Sequence, residues 1–498
     1  MIKFGPFAPD LPDYASGGAD VVKNVVPRTD NSYGPVGALT AYSGALTARC
    51  QGTLFVRDTD GSSYGFAGDA SKLYKLSAGS TSWADVKKVG GYTTGTDERW
   101  SFALYGRTVI ATNYTDAAQA YVMGTSALFD DLSSGAPKAR YVCVNDLFVI
   151  LANTVDGTYG TKPQRVCWSA IDNPGSWPTP ATAAALQVQS DYRDLPGEGG
   201  QIQGMVSGLS ACDVAVFQEH AVFRGLRVGA PAVYDFKQVE NARGCVAPGS
   251  IARLGPVAFY LADDGFYAFD GASSTPIGRD KIDAWVWGQI NQSYLYRVTS
   301  TVDPQRKLVL WAFPGAQSSG GTPNLMVVFN YGNGEWSYIE QDVEILCQSS
   351  SFGYTLEQLD SFGTLETLPY SLDSRAWVGS GRALLSGFTT AHKLGLFSGS
   401  NMEATLETAE AQPAPNARAV VCGVRPIVDV ASSSVTMGTR GLLSDVVTWG
   451  TTVAMDATGR APQRAEGRFH RARVTIPAGA DWLHAQGVEF EAVARGFR

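Results

Sequence analysis

Six times between residues 53 and 311 a short strand-forming run meets a tight turn and resumes as a second run. Thr53–Val56 turns at Asp58-Thr-Asp-Gly61 and resumes at Ser63–Phe66, and Trp100–Leu104 turns at Tyr105-Gly106 and resumes at Thr108–Ala111. Tyr141–Val144 turns at Asn145-Asp146 into Leu147–Leu151, and Asp213–Phe217 turns at Gln218-Glu219 into His220–Phe223. Val257–Leu261 turns at Ala262–Gly265 into Phe266–Phe269, and Val298–Val302 turns at Asp303–Arg306 into Lys307–Trp311. Gly, Asp and Asn accept the backbone of a tight turn, while the flanking aromatic and β-branched residues suit a pleated sheet. The first runs begin near 53, 100, 141, 213, 257 and 298, so four of the five intervals span 41–47 residues and one spans 72. A four-stranded propeller blade repeats at roughly 40–50 residues. The long interval holds the Pro- and Ala-rich stretch Pro174 to Leu186, which reads as a loop insertion. The expected fold is all-β, with a β-propeller of about six blades over residues 49–345.

The flanks read differently. Pro6, Pro9, Pro12, Pro27 and Pro35 interrupt residues 1–48, which predicts an extended N-terminal arm. It would lie on a later part of the chain or on a neighbouring subunit. Residues 346–370 read as a linker or a last-blade segment. From 371 to 498, period-two alternation in Met402–Thr408, Ile427–Val430, Arg471–Ile476 and Val488–Val493 predicts a C-terminal β-sandwich-like domain. Residues 280–294 are the best candidate for a short helix. A glycine followed closely by tryptophan recurs at Gly79/Trp83, Gly175/Trp177 and Gly334/Trp336, where the indole would fill the wedge between adjacent sheets.

Chemistry-bearing motifs are scarce. Of the four histidines, none stands at ligand spacing from another or from a cysteine, so no metal site and no cofactor is expected. No Gly-Lys dipeptide exists to start a phosphate loop. Gly61-Ser-Ser-Tyr-Gly65 matches a nucleophile elbow in letters, but it sits in a hairpin rather than a strand-to-helix turn. Asp58-x-Asp60-Gly61 and Asp263-Asp264-Gly265 begin like calcium loops and lack the ligand series ending in Glu. The reading is therefore a structural protein and not an enzyme. Seven cysteines without a Cys-x-x-Cys pair read as buried free thiols. The start of the chain has no apolar signal segment, and no apolar run approaches the roughly 18 residues of a membrane span. A net charge of −8 argues against wrapping DNA and is compatible with DNA that passes without sticking. One local excess runs the other way. Arg460, Arg464, Arg468, Arg471 and Arg473 face only Glu466 in their stretch, and Arg471 and Arg473 share a strand face. They are the candidate contacts for an acidic partner surface or a DNA backbone, with a solvated strand edge as the alternative.

Several segments together resemble the nozzle (tail tubular protein B) or hub proteins of short-tailed bacteriophages. They are Phe4-Gly-Pro-Phe-Ala-Pro-Asp-Leu-Pro12, Asn24-Val-Val-Pro27, Tyr33-Gly-Pro-Val36, Arg165-Val-Cys-Trp-Ser169 and Asn173-Pro-Gly-Ser-Trp177. The most specific are Gly244-Cys-Val-Ala-Pro-Gly-Ser250, the run from Phe259 to Gly271, and Pro276-Ile277. Leu372-Asp-Ser-Arg375, His392–Gly399, Leu406-Glu-Thr408, Phe469-His-Arg-Ala-Arg473 and Gly487-Val-Glu-Phe490 follow in the family's order. The resemblance implies a homo-oligomeric ring of six around a DNA channel, located in the virion tail and assembled in the host cytoplasm. A portal-adaptor protein would sit above it and tail fibres or tailspikes beside it. It implies no catalytic residues. The runner-up is a propeller glycan hydrolase or a carbohydrate-binding tail protein, whose paired carboxylates would come together only on folding.

Overall fold

A computed structural model of the chain describes residues 1–13, 17–29, 32–318, 320–350, 383–415, 417–430 and 432–495, with isolated positions between 351 and 382. Seven four-stranded antiparallel units follow one another around an axis. Their innermost strands are Gly52–Arg57, Ser101–Tyr105, Lys138–Asn145, Ile202–Ser207, Ala252–Leu254, Thr299–Asp303 and Ile345–Ser350. These define blades 1 to 7. Between neighbouring blades lies a separate apolar core, which is what holds a propeller together. Phe66 and Leu73 of blade 1 meet Val109 and Tyr121 of blade 2. Blade 2 meets blade 3 through Ile110 and Val149, and blade 3 meets blade 4 through Ile150 and Val216. Phe217 packs with Tyr260 across blades 4 and 5, and Phe259 with Trp311 across blades 5 and 6. Leu310 with Leu346 joins blades 6 and 7, and Phe388 with Leu76 returns from blade 7 to blade 1. Seven interfaces between seven blades close the ring. All three glycine–tryptophan pairs mark such a wedge. Trp83 packs at the blade 7–1 core, Trp177 at the blade 2–3 core and Trp336 at the blade 5–6 core.

The all-β propeller expected from the sequence is present, with seven blades where about six were expected. The seventh hides because its strands come from distant stretches. Ile345–Ser350, Ala383–Phe388 and Lys393–Asn401 supply three, and the fourth is Gly37–Ala45, within the stretch read as an arm. Leu396 stands opposite Thr40, and Phe397 opposite Leu39. The N-terminal strand thus fastens the ring by pairing with a strand from the end of the propeller. The 72-residue interval also has a plain cause. In blades 4 and 5 the strong hairpin joins the second and third strands, Val214–Gln218 with Ala221–Gly229 and Val257–Ala262 with Gly265–Phe269, rather than the first two. The insertion is real, however. Residues 169–190, including a short helix Ala183–Gln187, separate the third and fourth strands of blade 3. The short helix expected near 280–294 is Asp283–Gln289, followed by a 3-10 turn Gln292–Arg297.

Beyond the ring, two sheets pack face to face. One holds Val25–Thr29, Ser32–Pro35, Ala485–Ala494, Ala419–Val428 and Ala461–Gly467, with Ile2–Lys3 added beside Ala485–Ala494. The other holds Ala404–Glu407, Phe469–Ile476 and Ser434–Arg440. Val421, Val424, Val435, Met437, Val474 and Val488 fill the space between them, and their core runs without a break into that of blades 5 and 6. The join is a two-residue strand, Val22–Lys23, parallel to the last strand of blade 6 and antiparallel to Ala404–Glu407. Of the two places expected for the N-terminal stretch, a later part of the chain or a neighbouring subunit, its described strands lie on the later part of the chain, and they do so in three places. Leu394–Phe397, read as part of the sandwich, belongs to blade 7, while Asp373–Arg375 fall outside the described residues.

Candidate functional site

The five arginines singled out in the sequence separate in space. Arg471 is not a surface group, being only 5% exposed. Its guanidinium reaches Asp13 at 2.8 Å, Asp20 at 2.5 Å and Glu407 at 3.3 Å, with Glu410 at 3.7 Å. Arg440 adds a two-pronged pair to Glu410 at 2.6 and 2.7 Å and reaches Asp13 at 3.2 Å. Arg473 pairs with Glu407 at 3.0 Å and lies over the Trp449 ring. Burial holds Glu407 above the usual carboxylate range, against the pull of Arg473 and Arg471. Alternation along Phe469–Ile476 does put Arg471 and Arg473 on one face, but there Arg471 meets Asp13 and Asp20 of the folded-back N-terminal segment and Arg473 meets Glu407 and Trp449. Arg460 pairs with Glu491 at 2.8 Å and donates to the Cys422 carbonyl, and Arg468 lies over Phe469. Of the five, Arg464 alone is exposed. The group as a whole does not form one contact surface; its centre is a staple between the two ends of the chain. Asp13, Asp20, Glu407 and Glu410 carry no local signal of this, because their partners come from far along the sequence.

A second constellation lies at the propeller axis. In a propeller the inner strands run in one direction, so the residues that lead into them meet around one mouth. Arg49 leads into blade 1, Arg99 into blade 2, Gln201 into blade 4, Pro248 into blade 5, Arg297 into blade 6 and Glu344 into blade 7; Arg140 is near the start of the blade 3 strand. Arg99 donates from Nε to the Tyr296 carbonyl at 3.1 Å and from Nη2 to that of Val298 at 2.5 Å. Arg49 donates to the Thr96 carbonyl at 2.9 Å. Arg140 is differently placed, paired with Glu98 at 2.7 Å, bonded to Gln201 at 3.0 Å and stacked on Tyr114. Glu344 is taken by His392 Nδ1 at 2.5 Å and by the Cys50 N–H at 3.1 Å. A cavity of about 280 Å³ opens here, lined by Asp97, Glu98, Arg99, Arg140, Tyr141 and Tyr296 among others. Burial, and then repulsion from Arg49 and Arg297, lowers Arg99 to about 10. An arginine two residues ahead of the inner strand at both 99 and 297 was a sequence signal, visible only once blades are aligned on their first strands.

Another cavity, about 720 Å³, lies where blades 2 and 3 meet the insertion. Tyr159, Tyr192 and Trp177 line it, yet the Arg165 guanidinium sits 4.6 Å from the Tyr159 ring and 3.8 Å from that of Tyr192. Asp194 fixes it there at 2.6 and 2.8 Å. One face of each tyrosine is therefore already covered, which disfavours stacking of a sugar ring. Among the described residues no cluster of His, Cys, Asp or Glu could hold a metal ion. All seven cysteines are free, and six are buried. Burial pushes the Cys143 and Cys347 thiols up to about 12, far from the range of a nucleophilic thiolate. No helix is long and apolar enough to cross a membrane, among the described residues.

No family model and no curated protein matches the chain. Among solved structures it is similar to a chain of a mitotic checkpoint complex, with 11% identity, 75% of this chain and 96% of the other covered, and a TM-score of 0.41. It is also similar to the computationally designed Ika8 protein, at 10% identity, 73% and 100% coverage and a TM-score of 0.38. A third is YCF48 bound to D1 peptide, at 12% identity, 63% and 86% coverage and a TM-score of 0.33. The assignment of a propeller rests on the seven sheets and seven cores described above.

Proposed function

We propose that this chain is a structural subunit of the tail of a short-tailed bacteriophage. It forms the nozzle or hub ring around the DNA channel, retains packaged DNA and conducts it during ejection. The observation that supports this most is how the resembling segments meet. Phe4–Pro12 opens the chain and Phe469–Arg473 stands near its end. Yet Phe4 bridges Thr408, Asp10 caps the helix at Ala284 and Trp285, and Ile2 pairs with Val488. Just past the first motif, Asp13 and Asp20 hold Arg471. Segments that depend on one another in space are a stronger resemblance than the same turns and aromatics taken singly.

The architecture suits such a role. A ring of blades fastened by its own N-terminal strand leaves only short, protected sheet edges. A continuous core between ring and sandwich makes one body able to carry load between neighbours. In this reading the chain assembles as a hexamer, meets a portal-adaptor protein above and tail fibres or tailspikes beside it, and catalyses nothing. DNA passes without sequence-specific contacts, which the acidic balance favours. The test is a phage carrying a deletion of this gene. Negative-stain images of its particles should show tails without the distal tube, and intact infectious tails would overturn the proposal.

A further inference from the structure

Arg49, Arg99 and Arg297 share a property that the fourth arginine of the axis, Arg140, lacks. None has a carboxylate within ion-pair distance among the described residues, while Arg140 beside them is paired with Glu98. The acid nearest in charge to Arg49, Glu344, is committed to His392 and the Cys50 N–H. Arg49 is bonded to the turn just before Arg99, and Arg99 to the carbonyls on either side of Arg297, so the three positive groups lie together; of the acids that line the same mouth, Glu98 is committed to Arg140 and Asp97 pairs with none of the three. Backbone carbonyls do the holding: those of Thr96, Tyr296 and Val298 anchor Arg49 and Arg99. Gly249 leaves room for it, since a side chain there would overlap both the Arg99 guanidinium and the Val298 carbonyl. Arg297 Nε is buried and has no hydrogen-bond partner. The chain carries a net charge of −8, so this is a local device and not part of a generally basic surface.

We propose that the mouth of the propeller axis, at Arg49, Arg99 and Arg297, is a binding site for a phosphate-class oxyanion. The planar guanidinium fork matches the oxygens of phosphate in pairs. Three positive groups exceed what a single carboxylate neutralises, whereas a phosphate carries about −1.5 to −2 at neutral pH. The anchored side chains are ordered before the ligand arrives, so little conformational freedom remains to be lost on binding. The site is independent of the role in a tail proposed above, and either can fail without the other.

The experiment is isothermal titration of the full chain with inorganic phosphate, against acetate and chloride at equal ionic strength. A nucleoside monophosphate forms a further arm. Phosphate should bind and acetate should not. Tighter binding of the monoester than of the free ion assigns the site to phosphate carried on a larger ligand, and the reverse order to the free ion. Arg297→Gln and Arg49→Gln should each weaken phosphate at least about tenfold, because each removes a charged donor. Arg464→Gln, on the exposed sandwich strand, should leave it unchanged. Circular dichroism of each variant verifies folding; Arg297 makes no hydrogen bond through Nε, so its replacement removes none there. Equal heats for phosphate, acetate and chloride would overturn the proposal. So would phosphate binding that both folded variants retain in full.

Discussion

Arg471 has four carboxylates within 4 Å and almost no contact with water. Breaking such a network strands charge in a poorly solvated place, at a cost of about 3–5 kcal/mol when the group is fully buried. Asp13 and Asp20 are part-exposed, which puts Arg471→Ala near the lower end, about 3 kcal/mol. Urea unfolding should show this as a lowered midpoint, while Arg464→Ala, exposed, should stay within about 0.5 kcal/mol. Equal midpoints for the two variants would contradict the assignment of Arg471 to a staple. Asp283 makes a second residue-scale prediction. Burial raises its carboxyl to about 6, the neighbouring Asp10, Asp264 and Asp280 add to this, and the Phe266 N–H opposes it. A raised carboxyl favours its protonated form in the folded protein. Its contribution is complete below the unfolded value of roughly 3.9 and is lost as pH rises through about 6. Asp283→Asn avoids that loss, so its Tm relative to the parent should climb between acid and neutral pH. A difference that does not change with pH would refute this.

At the scale of elements, the strand Gly37–Ala45 does the most with the least sequence signal. Its pairing with Lys393–Asn401 brings backbones so close that a Cβ at Gly395 would lie 2.7 Å from the Thr40 carbonyl oxygen. Gly395→Val should force the strands apart, at about 1–3 kcal/mol for overpacking. Hydrogen exchange should then show lost protection in 37–45 with blade 3 unaffected; retained protection would mean that the strand is held elsewhere. The hairpins of blades 1, 2, 3 and 6 were legible because two strands and their turn are adjacent in sequence. Blade 7 was not, since its outer strand precedes its inner strand by some three hundred residues. The prolines of the N-terminal stretch were rightly read as excluding helix, yet Pro27 and Pro35 sit within short strands that join a sheet. For the same reason the arginine run looked like a surface. Its local neighbours hold one acid, while the acids that bury Arg471 lie at 13, 20, 407 and 410. The axial arginines were invisible as a group, because each is unremarkable until seven strand entries are brought to one mouth.

For the whole molecule, the core shared by blades 5 and 6 and the sandwich predicts that ring and sandwich unfold together. Far-ultraviolet dichroism and tryptophan fluorescence should trace one coincident transition in denaturant, and two separated transitions would show the sandwich to be an independent unit. A body fastened at both ends and closed on itself is what a ring subunit around a channel needs, and that is the claim on which the functional reading depends. Electron cryomicroscopy of the purified protein over a range of concentrations examines it directly. The account predicts a closed ring of six copies, each showing a seven-bladed disc joined rigidly to a smaller β lobe. Isolated single copies at every concentration, with no ring, would contradict it.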